Sequence, residues 1–133
     1  MKILIADDDE SNRLLLAKIL LPLGDSDLVV DGQEAVEAFE LALTEGEPYD
    51  LVFLDIMMPG KNGLQVLKWL RGLEQKHVSA DRTAVKIFMI TALGTEQNVH
   101  EAFVEGNCTD FFIKPVNKRM VLEKLADNGI VLE

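Results

Sequence analysis

Apolar runs recur along this chain, and each stops at a polar residue. Ile3-Leu4-Ile5-Ala6 leads into Asp7-Asp8-Asp9, and Leu51-Val52-Phe53-Leu54 into Asp55. Ile87-Phe88-Met89-Ile90 leads into Thr91-Ala92, and Phe111-Phe112-Ile113 into Lys114-Pro115. Short unbroken runs of this kind read as strands buried on both faces. The stretches between them keep helical spacing. Leu14, Leu15, Lys18 and Ile19 follow it up to Pro22, with Ser11 as the expected cap. Asp27 to Val30 is a short second strand, closed by the turn signal Asp31-Gly32. Ala35, Val36, Phe39 and Leu43 define a second helix, which Gly46 and Pro48 end. Gly63 precedes a third helix with Leu64, Leu67 and Leu70 on one face. The polar stretch from Gly72 to Thr83 exceeds the usual connection of about 2–6 residues, and is expected to extend the third helix and then loop. Val85 to Ile90 is the fourth strand. Val99 and Phe103 mark a fourth helix, and Met120, Val121 and Leu125 a fifth.

Five strands alternating with five helices predict an α/β fold: a doubly wound, five-stranded parallel sheet built from right-handed βαβ units, with helices on both faces. The polar strand ends select the order 2-1-3-4-5. That order sets strands 1 and 3 side by side at the switch point, gathering Asp7, Asp8 and Asp55 at the carboxyl edge where such sheets bind ligands. The sequence has no repeat or internal linker, so residues 1–133 are expected to form a single domain.

Composition narrows the function classes. Hydrophobic residues make up 48% of the chain, which argues against disorder. The net charge of -10 argues against direct nucleic-acid binding, because neutralising phosphates needs a basic face. No apolar run approaches the about 20 residues of a membrane helix, so no membrane insertion is expected. Met1-Lys2 leads straight into the first strand, leaving no room for a signal peptide, and the single Cys108 can form no internal disulfide. The expected compartment is cytoplasmic.

The gathered set is three carboxylates, one hydroxyl and one ammonium. Carboxylates sharing a pocket repel, so at least one pKa should rise. A hard dication removes the conflict. Mg²⁺ (or Mn²⁺) takes oxygen ligands and is typically held by one or two carboxylates plus a substrate phosphate. Asp55, central on the edge, is best placed as a nucleophile, and carboxylate attack on phosphorus gives an acyl phosphate. Such a transfer needs mainly positioning and positive charge. The cation and Lys114 supply the charge, and the Thr91 hydroxyl can donate to a phosphoryl oxygen.

These residues resemble those of a bacterial response-regulator receiver domain, a flavodoxin-like fold. The matching runs are Ile3-Leu4-Ile5-Ala6-Asp7-Asp8, Leu54-Asp55-Ile56-Met57-Met58-Pro59-Gly60 with Gly63, Ile90-Thr91-Ala92, and Phe112-Ile113-Lys114-Pro115. They span the chain from the first strand to the fifth helix. The resemblance implies a phosphoacceptor switch of a two-component system or phosphorelay, with Asp55 as the acceptor. It implies that Asp8 ligates Mg²⁺ directly, Asp7 acts through water, and the Met57 backbone carbonyl completes the set with Asp55. It makes Thr91 the switch hydroxyl, Lys114 the phosphate-reading ammonium, and the Lys114–Pro115 peptide cis. The family's mobile aromatic falls on Phe111, which lacks the hydroxyl of the common tyrosine. Implied partners are a histidine kinase or histidine phosphotransfer protein, and a downstream protein or second copy bound through residues 95–125. Met57 and Leu93 fall on positions that tune self-dephosphorylation. Both are apolar, so a long-lived phosphoryl group is expected.

Two features depart from the family. Asn107 stands where a glycine is usual, and Asn tolerates the left-handed conformation. The long Gly72 to Thr83 segment is expected at the opposite edge of the sheet from Asp55. Other polar and soft residues take structural readings. Asp9 and Glu10 serve the first helix N-terminus, where negative charge is favourable. Arg13 reads as helix surface, His77 and His100 as solvated, and Cys108, Met58 and Met89 as packing.

Two other functions compete. Phosphohydrolases with an aspartyl nucleophile typically carry a second aspartate two residues on, as general acid or base. Here that position is Met57, which disfavours turnover. A constitutive interaction module has no use for the intact acidic set with Thr91 and Lys114. The chain is therefore expected to be no enzyme beyond its own phosphorylation and slow self-dephosphorylation.

Overall fold

The computed structural model describes residues 1–58, 60, 62–77, 84–92, 100–101 and 105–131. Along the chain run β1 Ile3–Ala6, α1 Glu10–Leu20, β2 Ser26–Val29, α2 Gly32–Thr44, β3 Leu51–Asp55, α3 Gly63–His77, β4 Lys86–Thr91, β5 Asp110–Ile113 and α4 Lys118–Asp127. The strands form one sheet, all pairs parallel, in the order β2-β1-β3-β4-β5. This is the expected fold. Among the described residues there are four helices rather than five. The last of them, α4, is the fifth of the sequence reading. Val99 and Phe103, on which the fourth was placed, lie outside the described residues.

The apolar runs are unbroken because the sheet is covered on both faces. On one face Leu4, Ala6, Val52, Leu54, Ile87 and Met89 pack beneath α2 and α3. On the other, Ile3, Ile5, Phe53, Phe88 and Phe112 pack beneath α1 and α4. The rings of Phe53, Phe88 and Phe112 stand across β3, β4 and β5, with Phe53 and Phe88 centroids 5.2 Å apart and Phe88 and Phe112 5.8 Å apart. Strand β2 is an edge strand, and Leu28 there is part-exposed. Cys108 is buried, and burial pushes its thiol up to about 11, so it stays protonated and packs as a small apolar group.

All four described helices begin with a side chain accepting from the first turn, where four amides lack intrahelical partners; for α3 it is Asn62, through Leu64 N (2.7 Å). Asp31 caps α2 through Glu34 N (2.8 Å), and Asn117 caps α4 through Met120 N (2.8 Å). For α1 the cap is Asp9 rather than the expected Ser11. The helix starts at Glu10, so the Asp9 carboxylate reaches the Ser11 amide at 2.8 Å, and its charge suits the positive end of the helix.

At the amino edge of the sheet, α3 continues to His77 and is tied to the start of β4. Arg71 donates from Nη1 to the Val85 carbonyl (2.6 Å) and to Glu74 (3.0 Å), and from Nε to the Asn107 carbonyl (2.9 Å). Glu74 in turn accepts from the Val85 amide at 2.6 Å. The helical part of the long segment thus sits away from Asp55. Residues 78–83 lie outside the described residues. Asn107 adopts the left-handed conformation, φ 56°, as expected of a glycine substitute.

Candidate functional site

The register that buries the strands carries their polar ends to one edge. Ala6 pairs with Leu54, Asp55 with Ile90, and Thr91 with Ile113, so Asp7, Asp55, Thr91 and Lys114 follow one another across the sheet. Asp7, Asp55 and Thr91 are buried, at 0, 1 and 4% exposure, while Asp8 is exposed. Main-chain bonds between neighbouring ends hold this row: Asp7 N to Val29 O (3.2 Å), Ile56 N to Ile90 O (2.9 Å) and Lys114 N to Thr91 O (2.8 Å). The Lys114–Pro115 peptide is cis, as the resemblance implied. Gly63 lets α3 close on the end of β3. A Cβ there would collide with the Asp55 carbonyl oxygen and lie 2.7 Å from Ile56 Cα, so any other residue forces the loop off Asp55.

Asp55 accepts from the Met57 amide at Oδ1 (3.0 Å) and from Lys114 Nζ at Oδ2 (2.8 Å). Lys114 Nζ lies 3.7 Å from Asp7 Oδ2, beyond hydrogen-bond reach. Asp7 Oδ1 accepts from the Asp9 amide at 2.9 Å, but Oδ2 is buried with no hydrogen-bond partner among the described residues. Burial pushes the Asp7 carboxyl up to about 6, with the nearby charge of Asp55 adding to the rise against the pull of the Asp9 amide and Lys114. Burial opposes the charge of Lys114. The hydrogen bond and charge of Asp55, with the charges of Asp7 and Asp8, outweigh it and hold the ammonium above the ordinary lysine value. Negative charge is in excess: among the described residues a single ammonium faces three carboxylates.

The arrangement fits a hard dication. Asp7, Asp8 and Asp55 each offer an oxygen within 4.8 Å of the others, and among the described residues they are the group that does so. The orphaned Asp7 Oδ2 is the kind of buried acceptor that a cation or its water satisfies. Met57 is exposed at 69%, with its amide on Asp55. Phe111 is part-buried on β5, and Leu93 lies outside the described residues. Sequence reasoning missed Arg13. Its Nη1 donates to the Asp7 carbonyl at 2.7 Å, so this residue, read as helix surface, braces the end of β1. The missed signal was position: Arg13 sits one turn into the helix that leaves the acidic edge.

Known proteins share this organisation. Residues 3–126 match the response regulator receiver domain. The sensory/regulatory protein RpfC of Xanthomonas campestris pv. campestris is 34% identical over 130 residues, covering 98% of this chain, which spans only 17% of that relative. A chemotaxis protein CheY homolog of Campylobacter jejuni is 32% identical over 127 residues, covering 96% of this chain and 91% of its own length. The fold superposes on the CheX–CheY–BeF3–Mg²⁺ complex from Borrelia burgdorferi with a TM-score of 0.81 at 26% identity, covering 98% of this chain and 90% of that one. No helix among the described residues is long and apolar enough to cross a membrane. With its sheet order, its acidic edge and a match over nearly its whole length, the chain belongs to the response regulator receiver domains, the signalling switches of two-component and phosphorelay systems.

Proposed function

We propose that Asp55 accepts a phosphoryl group from a partner histidine, on a histidine kinase or a histidine phosphotransfer protein. The supporting observation is the part-buried Lys114 ammonium on Asp55 Oδ2 beside the orphaned Asp7 Oδ2. A carboxylate oxygen of Asp55 attacks phosphorus, the P–N bond breaks, and the imidazole nitrogen keeps the bonding pair. The charge that develops on the phosphoryl oxygens needs fixed positive partners more than it needs a proton carrier. Lys114, kept protonated by its surroundings, can turn from Asp55 to the phosphoryl group. The Thr91 hydroxyl can donate to a second oxygen. Asp8, Asp55 and the Met57 carbonyl would hold Mg²⁺ (or Mn²⁺), with Asp7 reaching it through water. Bound there, the ion neutralises the crowded carboxylates and the incoming phosphoryl charge.

The output follows from the same row. Thr91 moves toward the phosphoryl group, and Phe111, on the neighbouring strand, fills the space it leaves. Phosphate thereby shifts a population between two arrangements of the face spanned by residues 95–125, of which 95–99 and 102–104 lie outside the described residues. A downstream protein or a second copy binds there. We place the domain, residues 1–133, in the cytoplasm as one unit. Dephosphorylation is slow, because neither Met57 nor Leu93 can orient a water in line with the acyl phosphate.

The test is incubation with acetyl phosphate and Mg²⁺, followed by intact mass. Wild type is expected to gain the mass of one phosphoryl group. Asp55→Asn, or wild type in excess chelator, gains none. Equal labelling of Asp55→Asn overturns the assignment, and repeated turnover of the donor turns the reading to a phosphohydrolase.

A further inference from the structure

Phe111 raises a question that the acceptor site leaves open. A phenylalanine ring has no hydroxyl to hold it in place, but the negative face of its π-system is an electrostatic handle for a cation. That face carries a cation. Lys124 Nζ, from α4, lies over the Phe111 ring, 5.2 Å from the centroid. An ammonium within about 6 Å of a ring centroid is in range for attraction.

The lysine is itself pinned. Its Nζ donates to Asp110 Oδ1 at 3.2 Å, and the same oxygen accepts from the Phe111 amide at 2.9 Å. Asp110 Oδ2 accepts from Asn128 Nδ2 at 3.1 Å, and Asn128 Nδ2 also donates to the Lys124 carbonyl at 2.8 Å. Asp110 is 18% exposed at its side chain and Lys124 34%, so the pair is partly shielded from water. One carboxylate therefore fixes the backbone of Phe111 and the cation on its ring together. A space of about 190 Å³ opens beside them, lined by Phe111, Phe112, Ile113, Met120 and Lys124. The ring thus has room to move and a specific contact to lose. The register couples it to the site. Thr91 pairs with Ile113, two residues from Phe111 and on the same face of the sheet.

We propose that Lys124 is a positioning residue that sets the switch equilibrium: its ammonium, anchored by Asp110, holds the Phe111 ring at the β5 edge and opposes the move toward Thr91. This rests on the reading of Asp55 as acceptor and Phe111 as the moving aromatic. Removing the cation while keeping the stem releases the ring and favours the phosphorylated arrangement.

The experiment uses the whole chain with beryllofluoride and Mg²⁺ as the phosphoryl mimic. Two quantities are read by NMR: the affinity for the mimic, and the ring-current shift of the Lys124 ε-methylene. In wild type without the mimic, that methylene is expected upfield of an exposed lysine. Lys124→Met is expected to bind the mimic about two- to fivefold tighter, the effect of a cation–π contact near the surface. Lys124→Arg, which keeps the cation on the ring, stays within about twofold of wild type. In a Phe111→Leu background the gain from Lys124→Met disappears. A gain that persists there does not run through the ring and overturns the proposal. So does mimic binding indifferent to Lys124, or an unshifted methylene. Failure of every variant, wild type included, to bind the mimic overturns the acceptor reading and the coupling with it, a result distinct from binding that ignores Lys124.

Discussion

The two edges of the sheet each hold a knot of charge, and they are built differently. At the amino edge, Arg71 and Glu74 are almost buried, 12% exposed each, and the geometry closes. The guanidinium donates to Glu74 and to two carbonyls, and Glu74 accepts from Arg71 and from the Val85 amide. At the carboxyl edge the sums do not close. Asp7 and Asp55 are more deeply buried, and among the described residues one ammonium faces both but hydrogen-bonds only Asp55, while an Asp7 oxygen has no hydrogen-bond partner. Native proteins satisfy nearly every buried polar atom. A satisfied cluster is architecture. An unsatisfied one in a single fold, beside a carboxylate ready to react, is where a ligand belongs.

Opposite responses to mutation would sharpen this contrast. The largest effect is expected at the satisfied Arg71–Glu74 cluster. Arg71→Met leaves the Glu74 charge and two carbonyls without their donor, which should lower unfolding free energy in urea by about 3–5 kcal/mol. The variant that remains folded should still take one phosphoryl group at Asp55. A loss below about 1 kcal/mol, the scale of an exposed pair, would remove the distinction between the edges.

A smaller effect of opposite sign is expected at the unsatisfied edge. The folded-state pKa of Asp7, about 6, lies above the ordinary 3.8, so folding takes up a proton between those values. Metal-free wild type therefore loses about 2–3 kcal/mol from this group as pH rises through that window. Asp7→Asn has no such proton to lose. In chelator it should be as stable as wild type near pH 4 and more stable above pH 7, yet bind Mg²⁺ more weakly. Denaturation at the two pH values and a Mg²⁺ titration check this. Identical stability of the two proteins at both pH values would show that the orphaned oxygen carries no penalty.

The smallest effect concerns lifetime. Polar groups at the two apolar positions, in Met57→Asn with Leu93→Glu, should speed decay of the acyl phosphate about tenfold, or about 1.4 kcal/mol of barrier. Decay is followed by intact mass after donor removal. Equal half-lives would place the control of lifetime elsewhere, since Met57 is well exposed in the unphosphorylated protein.

Much of this architecture was legible because strand ends are local signals. Apolar runs such as Leu51 to Leu54, with a charged residue at the stop, give both the strand and the edge to which the stop belongs. The parallel sheet then gathers Asp7, Asp55, Thr91 and Lys114 without further information. The α1 cap was off by two residues because Ser11 and Asp9 both suit the role, and only the path of the backbone chooses between them. Arg13 was misread for a related reason. Its reach to the Asp7 carbonyl depends on how α1 leaves the strand.

The chain alone thus determined which residues stand at the carboxyl edge, since unbroken apolar runs that stop at a polar residue, and a helical spacing between them, are written directly in the order of apolar side chains. Tertiary structure decided how their charges balance. Whether a carboxylate is satisfied depends on distances of a few tenths of an ångström between groups far apart in sequence, and no pattern of residue types encodes those. Lys114 meets Asp55 at 2.8 Å and stops 3.7 Å short of Asp7. Lys124 likewise meets Phe111 only because α4 folds back along β5.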